Sequence, residues 1–423
     1  MRKPSLLVVF LTVFIDLVGF GIVLPLLPVF SKDFGAAGWL IGVITASFSA
    51  MQFLFAPSWG RLSDRIGRRP VLLVSTLGSA LSYAMFAFGC GLENHTTVLV
   101  VLLISRVFAG ICGANITVAQ AYIADISAPE VRSRRMGLIG MAFGLGFIFG
   151  PFIGAKGLEK FGMTGPGWIA AGFCAANFVL ALFVLPESRQ PSSEHVPARP
   201  RLAQWMEIVR RPVVGLLVLV LFLATLCFAC FEVTLGLLVM KNFHLDLQHD
   251  THAQATVGYL FVYCGIIGAI VQGGLIGRLV KRFGEGKLIA LSLVLTGLAM
   301  LPMPFPATTE AFSFGDLFHS TGRAWLTLLG LLAVLSIGSA LTRPPLFGLL
   351  SNLTPANEQG VTIGVAQGLA SLARIIGPIF ATTLFERHPL IPYGICAVVL
   401  FLTAIIAWPK LVKARADHAA AAH

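Results

Sequence analysis

Long apolar stretches alternate with short polar segments along the whole chain, and the stretches have the length of membrane helices. A hydrocarbon core about 30 Å thick takes roughly 20 residues of helix to cross. Twelve such runs can be marked, at approximately 6–30, 39–59, 70–90, 97–122, 135–155, 168–185, 212–240, 254–277, 287–305, 324–350, 360–384 and 390–408. The first carries Asp16, Pro25 and Pro28 and is too long for the apolar region of a signal peptide, so it is expected to be a retained span. The longest polar interval, PESRQPSSEHVPARPRLAQWMEIVRRP, falls after the sixth run and is rich in Pro, Ser and Arg. It predicts a cytoplasmic linker at 186–211 between two six-helix bundles, 1–185 and 212–423.

If the chain has two such halves, they should resemble each other. GRLSDRIGRR at 60–69 is echoed by GRLVKRFGEG at 277–286, each after the second span of its half. GLIGMAFGLGFIFGP at 137–151 is echoed by GVAQGLASLARIIGP at 364–378, each in a fifth span. The offsets, 217 and 227 residues, are nearly equal, which chance similarity would not require. Repeated halves with a site near the bilayer midplane are the architecture of secondary transporters. The fold class read from the pattern is therefore all-α and integral to the membrane, with twelve transmembrane helices in two pseudo-symmetric bundles.

Composition narrows this further. Of the 423 residues 57% are apolar and only 12% charged, with a mean hydropathy of +0.86, which leaves no room for a soluble catalytic domain. The net charge of +11 has a topological explanation. With the N-terminus inside, 21 of the 30 Lys and Arg fall in cytoplasmic segments, six in outer loops and three within spans. That asymmetry places both termini in the cytoplasm of a plasma-membrane protein, an inner-membrane one if the source is bacterial. A nucleic-acid surface would need basic and aromatic residues clustered on one soluble face, and none is present. The seven cysteines lie in or at the ends of spans and read as small apolar residues; Cys227 and Cys230 form a lone CxxC without the second pair of a metal site. Asn94-His95-Thr96 matches a short glycosylation sequon in an outer loop. Motifs for zinc proteases, serine hydrolases and phosphate-binding loops are missing, so no enzyme, cofactor or metal is expected.

An ionised side chain at the bilayer centre costs about 2.5–3.5 kcal/mol on insertion scales, so each one calls for a reason. Asp16 lies near the middle of span one. A carboxyl removed from water favours its neutral form, and it can load and release a proton as its surroundings open to each side. Glu232 occupies span seven, the first of the second half, and suits a proton or cation. Arg106 opens a stripe with Gly110, Gly113 and Thr117 in span four, from which the guanidinium can reach a cavity or Asp16. Span eleven presents Gln367, Ser371 and Arg374 on one face, span two presents Thr45, Ser49 and Gln52, and span eight contributes Gln272. These seven are the expected substrate contacts, with helix-to-helix bonding as the plainer alternative.

Several segments carry a family resemblance that covers essentially the whole chain. GRLSDRIGRRP resembles the signature of the major facilitator superfamily, G-x-L-(small)-D-R-x-G-R-(R/K). RVFAGICGANITVAQAYIAD resembles its fourth-span motif, and GLGFIFGPFIGA its glycine-rich antiporter motif, with Ala155 where a second terminal glycine is common. VFIDLVGFGIVLPLLP is similar to the opening of tetracycline/proton antiporters and their relatives. The resemblance implies that Asp16, tuned by Arg106, couples protons to substrate. It implies also that Gly146, Gly150, Pro151 and Gly154 shape the cavity and limit proton leak. The signature segment itself, with Gly60, Asp64, Arg65, Gly67 and Arg68, becomes an expected cytoplasmic gate. In it Gly60 and Gly67 allow a tight connection, Asp64 can dock on the N-terminus of span eleven near Gly360, and Arg68 can pair with Asp125. The second-half copy has Lys281 in place of Asp64.

The expected function is secondary active transport by alternating access, with proton-coupled efflux of a drug-like or amphiphilic small molecule foremost. Its partners are then a small-molecule substrate, protons and the lipid bilayer, without nucleic acid, and the chain is expected to act as a monomer. Tetracycline itself is a weaker expectation, because spans eight and nine lack the embedded His and Asp of well-known tetracycline antiporters. Symport or facilitated diffusion of a sugar or organic anion is the alternative, since Arg106 with Arg374 would suit a carboxylate or phosphate. A non-transporting receptor or scaffold is the third.

Overall fold

Proline and glycine decide where the apolar runs bend, and four spans are not single straight helices. A computed structural model describes residues 6–113, 115–127, 129–188, 202–243, 251–308, 322–354 and 358–421. In chain order the helices are α1 (Leu6–Val23), α2 (Leu27–Asp33), α3 (Gly38–Ile66), α4 (Arg68–Cys90), α5 (His95–Cys112), α6 (Asn115–Asp125), α7 (Pro129–Phe161) and α8 (Gly165–Val184). Then follow α9 (Leu202–Arg210), α10 (Pro212–Asn242), α11 (Thr251–Ile270), a π-helical turn at Val271–Leu275, and α12 (Ile276–Phe283). The last five are α13 (Glu285–Met300), α14 (Arg323–Ala340), α15 (Arg343–Asn352), α16 (Gln359–Arg387) and α17 (Leu390–Ala421).

Eleven helical segments among the described residues are long and apolar enough to cross a membrane, so the chain is a multi-pass membrane protein. The expected ninth span, 287–305, is the one outside that set. It forms α13, whose 16 residues end at Met300 in a turn that contains Pro302 and Pro304. Span one divides at Leu24–Leu26 around Pro25, span ten at Leu341–Thr342 ahead of Pro344, and span eight passes through the π-turn with Gly273 and Gly274.

The chain divides into two units, Met1–Pro197 with Asp246–Gly265, and Ala198–Leu245 with Ile266–His423. In the first, α7 lies along α1 at backbone contact. A Cβ added to Gly146 would meet Leu17 Cβ at 2.9 Å, one on Gly150 would meet the Cα of Gly21 at 2.6 Å, and one on Gly154 the carbonyl oxygen of Ile22 at 2.7 Å. Small residues every turn let two helices approach this closely, which matters where water offers no driving force for their association. At the far end of α7, Glu159 accepts from Tyr259 of α11 (2.7 Å) and pairs with Lys156 (2.8 Å). In the second unit α10 lies against α16, where a Cβ on Gly377 would touch Ala229 Cβ at 3.0 Å.

Span four breaks at Gly113, a point the apolar run 97–122 does not reveal. The interruption leaves carbonyls that no longer accept along the helix, in a setting without water. Side chains from α3 and α4 take them: Trp59 Nε1 donates to Ile111 (2.5 Å), Ser75 Oγ to Cys112, and Gln52 Nε2 to Gly113 (3.1 Å). Ser75→Ala is expected to cost about 1–3 kcal/mol of stability, the range for stranding a buried polar group, and a thermal unfolding series against wild type measures it.

The expected connector 186–211 is partly built into the bundles. Residues 186–188 are held on the first unit by Tyr122 Oη donating to Pro186 O (2.8 Å), while 202–210 form α9 in the second. Asn94, from the sequon, accepts from the Thr97 N–H (3.1 Å) and thereby caps α5. All seven cysteines are unpaired by disulfides, and six are buried.

Candidate functional site

The first unit gathers its polar interior around Asp16. The side chains of Asn115 from α6 and Ser79 from α4 adjoin the carboxyl, and its Oδ1 is sealed from solvent without a hydrogen-bond partner. Asn115 is only 2% exposed, and both its Oδ1 and Nδ2 are likewise unpartnered. Asn115 is the first residue of α6, just beyond the break at Gly113. One turn before Asp16, Asn177 of α8 donates to the carbonyl of Thr12 (2.8 Å) and fixes α1 there.

Arg106 is 2% exposed, and no ion pair joins it to Asp16. Its guanidinium instead stands over two aromatic rings, 5.3 Å from the centroid of Tyr83 and 5.6 Å from that of Phe86, a cation–π arrangement that gains strength where water is excluded. Nε and Nη2 are buried and unpartnered. Tyr83 lies within electrostatic range of both Arg106 and Asp16.

Other expected cavity residues fare differently. Gln52 has its amide donor engaged at the span-four break, where it ties two helices together. Thr45 Oγ1 donates back to the Ile41 carbonyl of its own helix (2.9 Å), which leaves its oxygen as an acceptor. Ser49 is half-buried on the same helix, α3. Gly146, Gly150 and Gly154 are packing residues against α1, with Pro151 inside the same helix.

At the cytoplasmic signature the expected loop is largely helix. Residues 60–66 complete α3, so Gly60 does not make the connection, and a Cβ there would touch only Thr117, at 4.0 Å. Gly67 alone makes the turn, with φ +102°, and its repeat counterpart Gly284 does the same with φ +80°. Arg68 is the hub: Nη2 meets Asp64 at 2.6 Å, Nε meets Asp125 at 3.0 Å, and Nη1 donates to Ser63 Oγ at 2.6 Å. Its side chain is 6% exposed, which makes this a shielded network, worth more than surface pairs. Arg65 is exposed and joins no ion pair among the described residues.

Sequence reading missed the acid that completes this network. Glu187 accepts from the backbone N–H groups of Arg68 (2.8 Å) and Arg69 (3.0 Å), capping the N-terminus of α4 from a segment more than a hundred residues away. Ser188 Oγ adds a bond to Asp125 (3.2 Å). Tyr83, Ser79 and Asn115 were also missed, as uncharged residues inside apolar runs.

In the second unit, Arg374 and Arg343 are the charges that act on Glu232, yet none of the three closes a hydrogen bond or an ion pair among the described residues. Arg343 stands at the start of α15, and the intramembrane-charge argument applied to the other arginines would have found it. On α16, Gln367 is exposed and Ser371 Oγ donates to the Gln367 carbonyl (3.0 Å). Gln272 is exposed within the π-turn. No group of three or more His, Cys, Asp or Glu that could hold a metal occurs among the described residues.

The chain is 31% identical to the class C tetracycline resistance protein of Escherichia coli, covering 97% of both chains. It is 26% identical to multidrug resistance protein 2 of Bacillus subtilis (strain 168), over 95% of this chain and 94% of that one. Among solved structures it resembles the human organic anion transporter MFSD10 (TETRAN), with a TM-score of 0.64, 26% identity, and coverage of 96% of this chain and 100% of that one. A model of the Major Facilitator Superfamily matches residues 9–318. With that match, its membrane helices and its signature network, the chain belongs to the Major Facilitator Superfamily and is a transporter of small molecules, not an enzyme.

Proposed function

We propose that this protein exports drug-like, amphiphilic molecules in exchange for protons, by alternating access. The observation that carries the proposal is the carboxyl of Asp16, sealed beside Asn115 and Ser79 with an oxygen that has no partner. A membrane protein tolerates such a group when it is used, and here the use is protonation and release. Arg106 acts on it through Tyr83. The names of the relatives, tetracycline resistance and multidrug resistance, agree with export as the direction of transport. Glu232 is proposed as a second titrating group, and Thr45, Ser49, Gln272, Gln367, Ser371 and Arg374 as substrate contacts. The protein is proposed to act as a monomer in the plasma membrane, with both termini cytoplasmic.

The Asp64–Arg68–Asp125 network, with Glu187 behind it, is proposed as the cytoplasmic gate. Proteoliposomes with an imposed pH gradient test both parts. Accumulation of rhodamine 6G should follow the gradient and stop when an ionophore collapses it; accumulation that ignores the gradient defeats proton antiport. Asp64→Asn should slow the same transport severalfold without loss of folded protein on size exclusion. Unchanged transport in that variant would reduce the signature to a topological role.

A further inference from the structure

Three charged side chains in the second unit, Glu232, Arg343 and Arg374, close no hydrogen bond or ion pair with one another or with any other described residue. Glu232 lies well inside α10, Arg374 at the middle of α16, and Arg343 at the first residue of α15, all within segments that cross the membrane. Glu232 and Arg374 are half-buried and Arg343 is exposed, each placed deep along its span. Charges in such a position that do not pair with protein are available to something else.

The packing that sets their positions is firm. Gly377 of α16 is pressed on α10, its missing Cβ lying 3.0 Å from Ala229 Cβ and 3.2 Å from the Leu226 carbonyl. Arg374 comes one turn before that contact on α16, and Glu232 one turn after it on α10. Arg343 arrives from the break in span ten, where α15 begins, and α15 packs on both α10 and α16. A helix start of this kind adds positive potential, although Pro344 and Pro345 remove two of its amide donors, so the guanidinium becomes the main anion-binding element there. The two arginines feel each other as well as Glu232. Two guanidinium groups lie within electrostatic range of one carboxylate, so cationic groups outnumber anionic ones in the cluster. One turn before Glu232 on α10 is Phe228, half-buried and packed on Phe231 with centroids 5.8 Å apart, which sets an aromatic surface near the charges.

We propose that Glu232, Arg343 and Arg374 form a receptor for the anionic group of an aromatic amphiphile, a carboxylate or sulfonate, held by the arginines with the ring beside Phe228. This deepens the transport reading above and rests on it only for the direction of movement. Planar guanidinium groups match such oxyanions with paired hydrogen bonds, whereas a cationic substrate would meet two like charges for every opposite one.

Binding to the purified full-length protein tests this without any gradient, read as the rise in unfolding temperature that a ligand produces by mass action. Fluorescein, an anionic xanthene, and rhodamine 6G, a cationic one, are the probes. Fluorescein should stabilise the wild type at lower concentration than rhodamine 6G. Arg343→Gln and Arg374→Gln should each weaken the fluorescein response about tenfold, the scale of a lost charge-assisted contact. Arg374→Lys should recover part of the loss, and Glu232→Gln should strengthen the response by removing the opposing charge. Absence of stabilisation by fluorescein, equal stabilisation by both dyes, or undiminished binding in cooperatively unfolding Gln variants overturns the proposal. Transport separates it from the parent reading. Gradient-driven export of rhodamine 6G without fluorescein binding would keep the efflux function and remove the anion receptor, and fluorescein binding without gradient-driven export would do the reverse.

Discussion

Asp16→Asn is expected to bring gradient-driven export down to the level of protein-free vesicles while leaving exchange of substrate across the membrane without a gradient in place. Asparagine keeps the size and hydrogen-bonding capacity of the protonated acid, so its neighbours Asn115 and Ser79 meet nearly the same group. What it cannot do is give up a proton and become an anion. A transporter held in the neutral form can still change conformation with substrate aboard, but nothing then links that change to the pH difference. Two assays on one preparation, uptake under an imposed gradient and counterflow from preloaded vesicles, separate the steps. Loss of both would mean that Asp16 supports the fold, and loss of neither would remove it from coupling. Tyr83→Phe is the companion variant, since the ring over which Arg106 stands is retained while the hydroxyl is deleted.

Gly150→Ala is expected to be among the most destabilising single-methyl changes in the chain. The added carbon would lie 2.6 Å from the Cα of Gly21 and 2.9 Å from the backbone nitrogen of Ile22. No rotamer relieves a clash between a Cβ and a backbone, so α1 and α7 must separate along their contact. Overpacking of this kind costs about 1–3 kcal/mol and sometimes more. Gly144, six residues earlier on the same helix, has nothing within 4 Å of its added carbon and serves as the control. Gly144→Ala should be neutral or stabilising by up to about 1 kcal/mol, because alanine is the better helix former. Thermal unfolding of both variants in one detergent decides the matter, and equal behaviour would show that the close approach of α1 and α7 has no energetic weight.

Because α1 carries Asp16 and the same contact holds Gly21 and Ile22 against α7, Gly146, Gly150 and Gly154 and the carboxyl proposed to couple protons belong to one packing unit. The motif can thereby influence coupling without touching a proton or a substrate. A shift of α1 by the width of a methyl group would displace Asp16 relative to Asn115 on α6.

Hydropathy placed eleven of the twelve apolar runs on helices long enough to cross a membrane, since residues facing a bilayer must be apolar over some 20 positions whatever they pack against. The cost of intramembrane charge alone singled out Asp16, Arg106, Glu232 and Arg374, and the repeat of GRLSDRIGRR marked the positions where Gly67 and Gly284 turn the chain with positive φ. Both signals are local, because the solvent that enforces them is the same everywhere along the chain. The partners of those residues had no such signal. Arg106 rests on Tyr83 and Phe86, Gln52 satisfies a carbonyl freed at Gly113, and Glu187 caps a helix that begins more than a hundred residues earlier. Uncharged residues such as Tyr83, Ser79 and Asn115 cost too little in an apolar run to stand out in it. Their significance comes from which helices lie side by side, and only the tertiary structure, through the close contacts that small residues permit, decides that.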